Sequence, residues 1–424
     1  MVHIFDNSMH NFSIPKQVSA IIGNLLEHYD AALFSLLAPF LAPIFFSNSD
    51  PLTALIFTYS ILCSGFILRP LGAILFGWIG DSIGRQEALS ISLLGMSITT
   101  ILIGFIPTHS QIGLYAPILL TIGKMLQTFF AAGASTGGAI FVLENASKKK
   151  QAFWSSLYDS CTIGGILIAS VIVLWISRYT DLEKSWRVLF WGGGITAIIG
   201  YYLRSKKSPH SIISHKFPLF SIIKKNKKAL IPIIIASGFS YSIYSLSFSL
   251  MNGYIPLITS FSKTTMVEIN TFLIAIDMLL LPLFGYLSNR LGMKKVMLSG
   301  AALCTVFAIP LFTVLNQATL VTIILVRLII IVLGVSFSAT YHAWTLNLTT
   351  RSHRYLILSV GSAIGSQCIG MPTASICLWL YKMTNWSGAP GFYLTFLGVL
   401  SFWAVYSFSE QSTNEQCEVE TLSL

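Results

Sequence analysis

Apolar runs of bilayer-crossing length, broken by short polar stretches, recur along the whole chain, at 18-46, 53-79, 88-106, 112-145, 152-177, 187-204, 228-260, 266-287, 296-315, 318-346, 356-381 and 388-408. Crossing hydrocarbon takes about 20 residues of helix, because every backbone polar group has to be bonded within the segment. Twelve such spans use most of the 424 residues and leave no room for a second, water-soluble domain. Charge excludes a soluble fold independently: 26 Lys and Arg with 16 Asp and Glu make 10% of the chain, against about 25% in an ordinary soluble domain. The expected fold is all-α and polytopic, with twelve transmembrane helices.

The polar connections alternate in charge. With both termini on one side, the connections of that side carry 18 basic residues: Lys16, Arg85, Lys148 to Lys150, eight from Arg204 to Lys228, Arg290, Lys294, Lys295, Arg351 and Arg354. The other side carries five: Arg178, Lys184, Arg187, Lys263 and Lys382. Cytoplasmic loops hold the positive excess, so both termini are assigned to the cytoplasm and the net charge of +10 is largely topological. The organisation expected is a cytoplasmic amino terminus (1-17), a six-helix bundle (18-204), a basic linker (205-227), a second six-helix bundle (228-408) and an acidic tail (409-424). The linker lacks the interleaved aromatics of a nucleic-acid platform and lies among anionic headgroups, so its expected partner is the lipid bilayer and not nucleic acid. Polar residues from His3 to Lys16 precede the first span, which argues against a removable signal peptide. Five of the six cysteines (Cys63, Cys161, Cys304, Cys368, Cys377) fall inside spans and Cys417 in the tail, so neither a disulfide framework nor a metal site is expected.

The halves repeat. Gly77 to Arg85 reads GWIGDSIGR between spans two and three, and Gly285 to Lys294 reads GYLSNRLGMK between spans eight and nine. A duplicated six-helix unit carrying G-x-x-x-D-x-x-G-R in this loop resembles the major facilitator superfamily, which implies two pseudo-symmetric six-helix bundles. The resemblance also makes Asp81, Arg85 and Arg290 gating groups of a conformational latch. Gly23-Asn24-Leu25-Leu26-Glu27-His28-Tyr29-Asp30, Arg69-Pro70-Leu71-Gly72, and Gly137 through Glu144 further resemble the metabolite:proton symporters of that superfamily. Within that family the proline- and betaine-carrying branch is the most similar, through Lys124-Met125-Leu126-Gln127. It implies a multi-pass protein of the bacterial cytoplasmic (inner) membrane. His28 and Ala31 replace a Trp and a Phe of the opening motif, and Ala134 stands where the family has a carboxylate in mid-span four. After Phe408 only a short acidic tail follows, in place of the coiled coil of osmosensing members.

Seven ionisable residues fall well inside spans: Glu27, Asp30, Arg69, Lys124, Asp159, Asp277 and Arg327. At about 2.5 to 3.5 kcal/mol for each central charge, seven unpaired groups would cost roughly 20 kcal/mol. They must therefore face protein or water. Glu27 and Asp30 lie three apart on one helical face, and Lys124 lies at similar depth in span four. That depth predicts an acidic pair facing a cation across a central, water-reachable hollow, with Glu27, Asp30 and Asp159 as proton-coupling groups. Two neighbouring carboxylates in low dielectric share protons readily, and Lys124 can neutralise a substrate carboxylate; the alternative is a static ion cluster that fixes packing. Tyr29, Trp154, Tyr158, Tyr241 and Tyr244 are candidate walls for a quaternary ammonium or prolyl cation, each of them also readable as packing. Asp277 and Arg327, about equally deep in spans eight and ten, predict a salt bridge, with Arg327 alternatively recognising an anionic group of the substrate. His342 reads as a hydrogen-bonded packing residue ahead of a proton relay. Gly133 and Gly137 (GxxxG), Gly164-Gly165, Pro256 and Pro282 suit helices that slide or bend.

No G-x-x-x-x-G-K-[ST] occurs, so ATP-driven pumping is not expected, and no nucleophile triad or metal cluster argues for an enzyme. The reading is secondary active transport: proton-coupled symport of a small zwitterionic or anionic metabolite by alternating access, acting as a monomer without cofactors. Proline or betaine is the first substrate implied by the resemblance, di- and tricarboxylates the second. An uncoupled uniporter and a transport-inactive receptor or scaffold are the competing readings.

Overall fold

A computed structural model describes residues 16–82, 85–132, 135–144, 146–204, 226–316, 318–349 and 354–408. Among them the helices form rods, numbered in chain order. α1 is Lys16–Phe45; α2 runs Pro51–Cys63 and, past a 3-10 turn at Ser64–Phe66, Leu68–Ser82; α3 is Arg85–Gly104. α4 comprises Tyr115–Ala131 and Ser135–Glu144, α5 is Gln151–Tyr179 and α6 Leu182–Arg204. α7 runs Lys227–Tyr244, a π turn Ser245–Leu250 and Met251–Ile258; α8 is Lys263–Leu291 and α9 Met293–Thr313. α10 comprises Leu320–Ser338 and Tyr341–Asn347, α11 runs Arg354–Gly365, a π turn Ser366–Gly370 and Thr373–Thr384, and α12 is Ala389–Ser407. Eight of these helical runs are long and apolar enough to cross a membrane, and 32-45 and 90-104 are shorter apolar stretches.

Local chemistry sets the helix starts. Asp50, Ser262 and Thr319 each accept a hydrogen bond from the backbone N–H three residues on, capping α2, α8 and α10. The eighth helix is longer at both ends than the expected 266-287, because the Ser262 cap and the left-handed Gly292 (φ 94°) fix its limits. Large apolar side chains stay exposed around the rods, among them Phe105, Leu279, Leu283, Val306 and Val321, as helices facing acyl chains require. Aromatic residues gather at the rod ends: Tyr115, Trp175 and Tyr179 at one face, Tyr286, Trp403 and Tyr406 at the other, the pattern of membrane–water boundaries. We call the face bearing Lys148 to Lys150, Arg290, Lys294 and Lys295 the basic face, and its opposite the far face.

The two sets of six rods pack alike. Within the first, α1 packs on α5 and α6, α3 on α4 and α6, and α2 on α4. Adding six to every label gives the main pairings of the second set: α7 on α11 and α12, α9 on α10 and α12, α8 on α10. Contacts between the sets obey the same exchange, since α5 lies along α8 as α2 lies along α11. Small residues let these helices approach. Gly285 of α8 receives Ser156 and the Ala152 carbonyl of α5, and Gly165 of α5 sits on the Leu25 carbonyl of α1.

The seam between the bundles is closed at both faces. At the far face Lys382 hydrogen-bonds Thr53 and lies 3.8 Å from Asp50, Glu183 is 3.5 Å from Lys263, and Arg178 is 3.5 Å from Glu268. Asp50 is held below the ordinary carboxylate range, first by the Thr53 hydroxyl and then by the Thr53 N–H, with Lys382 a smaller influence. A depressed carboxylate stays ionised above its ordinary value, so this latch is lost only in acid, as pH falls through that lowered value. At the basic face Arg354 of α11 donates to Glu144 of α4 at 3.0 Å. Apolar side chains from both bundles pack behind it, Ile140 and Leu143 against Leu346 and Ile357. The void left there, lined by Ile140, Leu143, His342, Thr345 and Ser362, measures about 10 Å³, room for about one water molecule. Among the described residues, little open space remains between the bundles at the basic face.

Two outcomes follow from these contacts. Gly165→Ala puts a methyl against the Leu25 carbonyl and should cost about 1 to 3 kcal/mol, read as a lower Tm of the purified protein. Gly192→Ala, whose methyl would meet nothing nearer than the Tyr29 hydroxyl at 4.0 Å, should leave Tm unchanged; equal effects would contradict the α1–α5 contact. Arg354→Gln should loosen the basic-face latch and raise the maleimide labelling rate of a Thr345→Cys reporter several-fold. An unchanged rate would mean that the apolar packing alone keeps the face closed.

Candidate transport site between the bundles

Polar groups collect where α5 faces α8 and α10. Asp159 of α5 and His342 of α10 meet across the seam, with Nε2 3.1 Å from Oδ1. The imidazole ring packs on Tyr341 at 4.6 Å and meets Tyr158 edge-on at 5.9 Å. Asp159 lies eight residues into α5 from the basic face, about 12 Å deep at 1.5 Å per residue. One residue on, the Ser160 hydroxyl donates to the Met278 carbonyl of α8 at 2.8 Å. That hydrogen bond brings Asp277, the residue before Met278, level with Asp159, and the two carboxylates interact electrostatically.

Asp277 stands fourteen residues from either end of α8, at the midpoint of that helix. It is 1% exposed, and its Oδ2 has no hydrogen-bond partner. Tyr244 of α7 is within electrostatic reach of both Asp277 and Asp159, and its ring stacks on Phe248. On the other flank Tyr158 donates to Asn24 Oδ1 at 3.0 Å, and Asn24 Nδ2 donates to Thr162 at 2.6 Å, tying α1 to α5. His28 bonds the Asn24 carbonyl and interacts electrostatically with Arg69 and His342. The result is a chain of titratable groups from mid-membrane toward the basic face, walled by Tyr158, Tyr244 and Tyr341.

The remaining predicted residues are distributed differently. The side chains of Glu27, Asp30, Asp81 and Arg85 lie outside the described residues, as do Ala134 and Gly133, so the acidic pair and the first-loop latch have no geometry to report. Lys124 is buried within the first bundle, bonded to Gln127 Oε1 and 5.0 Å above the Phe34 ring, while Gln127 donates to Thr100 of α3 at 2.7 Å. Tyr29 is buried in the core of that bundle, its hydroxyl toward Gly192 of α6. Trp154 packs with Ala139, Val142 and Tyr158 near the basic face, and Tyr241 lies against Gly370 of α11. Arg290 ends α8 with its guanidinium 4.8 Å above Tyr286.

The expected Asp277–Arg327 salt bridge does not form. Arg327 is seven residues from the far end of α10 and Asp277 fourteen from the far end of α8, an offset of about 10 Å along the helices. The extra residues at the start of α8 carry Asp277 deeper than the sequence spans implied. Arg327 instead donates through Nη2 to the Ser247 carbonyl at 2.9 Å, to Asn252 Oδ1 at 3.4 Å and to Asn270 Oδ1. His342 contacts Asp159 across the seam, and Asn24 joins α1 to α5 through Tyr158 and Thr162. A lone histidine in an apolar span carries no spacing signal, and Asn24 is visible only as part of the opening motif.

Residues 16–218 match the family model described as "Sugar (and other) transporter". The chain is 30% identical over 408 residues to the proline/betaine transporter of Escherichia coli (strain K12), covering 90% of this chain and 80% of that protein. It is also 30% identical over 418 residues to the proline/betaine transporter of Salmonella typhimurium, covering 92% and 82%. In fold it resembles a crystal structure of a D-xylose-proton symporter, with TM-score 0.72 and 16% identity over 93% of this chain and 97% of that one. A partially occluded, inward open structure of the xylose transporter XylE from E. coli gives TM-score 0.69 at 18% identity over 93% and 97%. The repeated six-rod packing, the closed seam and the full-length relatives agree: this chain belongs to the major facilitator superfamily, in the family of the bacterial proline/betaine transporters.

Proposed function

We propose that this protein carries a small zwitterionic metabolite of the proline or betaine type together with a proton, by alternating access across a bacterial cytoplasmic membrane with both termini inside. The observation that carries the reading is the Asp159–His342 contact, which joins the two bundles beside the mid-membrane Asp277. Rocking one bundle against the other to open the basic face has to part α5 from α10, so this contact exists only while that face is closed. Two carboxylates and an imidazole in a water-poor seam carry least electrostatic cost when protons are shared out among them. A proton placed on Asp159 removes the charged half of the contact, which links protonation to opening.

The same groups suit the cargo. A quaternary ammonium has no N–H to donate, so aromatic faces together with a carboxylate are the means of holding it. Tyr158, Tyr244 and Tyr341 beside Asp159 and Asp277 supply that combination. Asp277→Asn should abolish proton-gradient-driven accumulation of labelled betaine or proline in proteoliposomes while sparing betaine exchange without a gradient. Gradient-driven uptake at the wild-type level in that variant would dismiss Asp277 as the coupling group. Equal uptake with and without the gradient in the wild type would make the protein a uniporter.

A further inference from the structure

The buried end of Arg327 has the chemistry of an anion site. Its guanidinium is fully enclosed between α7, α8 and α10, in the interior of the second bundle. The Nη2 nitrogen is well supplied with acceptors, the Ser247 carbonyl and the side-chain oxygens of Asn252 and Asn270. Neither Nε nor Nη1 has a hydrogen-bond partner. The Asn270 amide nitrogen and the Ser247 hydroxyl, on two of the residues that hold Nη2, are buried and unpartnered too. All of these orphans can donate, and none of the ion pairs among the described residues involves Arg327.

A full positive charge among unsatisfied donors, enclosed in a bundle core, is among the most costly arrangements a protein can bury. Flipping the Asn270 amide offers no relief, because it would turn the amide nitrogen toward the guanidinium. What the cluster lacks is an acceptor with negative charge. The acceptors on Nη2 come in part from the π turn of α7, where three successive carbonyls are taken by side chains: Ser247 by Arg327, Phe248 by Asn252 and Ser249 by Tyr59. Such a turn widens the helix and frees carbonyls, and Tyr59 belongs to α2 of the other bundle. The cluster therefore stands directly behind a contact between the bundles on the far-face side.

We propose that Arg327, Asn270 and Ser247 bind a small monoanion inside the second bundle, apart from the Asp159–Asp277 site. Chloride and a carboxylate share the required chemistry, and chloride is the probe of choice because it needs no entry path wide enough for a metabolite. The test uses the purified full chain and reads thermal stability, so it does not depend on transport. Sodium chloride should raise Tm saturably by about 2 °C or more over sodium gluconate at equal ionic strength. Asn270→Asp, which supplies a fixed carboxylate beside Arg327, should match the chloride-bound wild type in gluconate and lose the chloride response. Ser247→Ala should weaken the apparent affinity several-fold while preserving the fold. Acetate or betaine that reproduces the shift without chloride would identify a carboxylate as the occupant, whereas a shift with chloride alone would identify the inorganic ion. Identical wild-type melting in chloride, acetate, betaine and gluconate would overturn the proposal, as would an Asn270→Asp variant that keeps the full chloride response.

Discussion

The close approach of α5 and α8 governs this structure. Ser156, Ser160 and Gly285 are small enough for the two helices to meet along their length, and in a membrane such packing replaces the hydrophobic drive that water would supply. Because these helices belong to different bundles, their contact sets the register of one half against the other. That register brings Asp159 and Asp277 level, and it leaves Asp159 facing His342. A bulkier residue at Gly285 would separate the helices and dissolve the site even though no charged group had changed.

Ionisable groups occupy two kinds of place, and their surroundings differ accordingly. Asp159, His342 and Asp277 lie at the seam, where opening of either face brings water to them. Lys124 and Arg327 lie inside the bundles on α4 and α10, which are equivalent by the repeat, and each is held by carboxamide oxygens: Gln127 for Lys124, Asn252 and Asn270 for Arg327. The seam groups join the two bundles, whereas Lys124 and Arg327 are each enclosed within one bundle.

The two faces of the seam are closed by different means. The far face has ion pairs around Asp50, Glu183 and Glu268 over a large apolar core that draws residues of α1 and α2 together with the second bundle. The basic face has the Glu144–Arg354 pair over a smaller apolar cluster. The Asp159–His342 contact lies toward the basic face.

Hydrophobic run length and a G-x-x-x-D-x-x-G-R loop at Gly77 to Arg85, with a degraded copy at Gly285 to Lys294 in which Asn289 replaces the acid, were enough to place the chain in its membrane class and family, because the bilayer itself constrains composition at every position. Charges inside spans were likewise legible, since hydrocarbon makes each of them conspicuous. Their partners were not. Two spans of similar apparent depth suggested an Asp277–Arg327 bridge, but the Ser262 cap starts α8 three residues earlier and Thr319 starts α10 two residues later, so the two side chains stand seven residues apart in depth and Arg327 finds amides instead. His342 met Asp159 through the crossing of two helices almost two hundred residues apart in the chain. A sequence records how deep each side chain sits on its own helix; which side chains touch depends on register and rotation between helices, and those are set only when the small residues of the seam bring the bundles together.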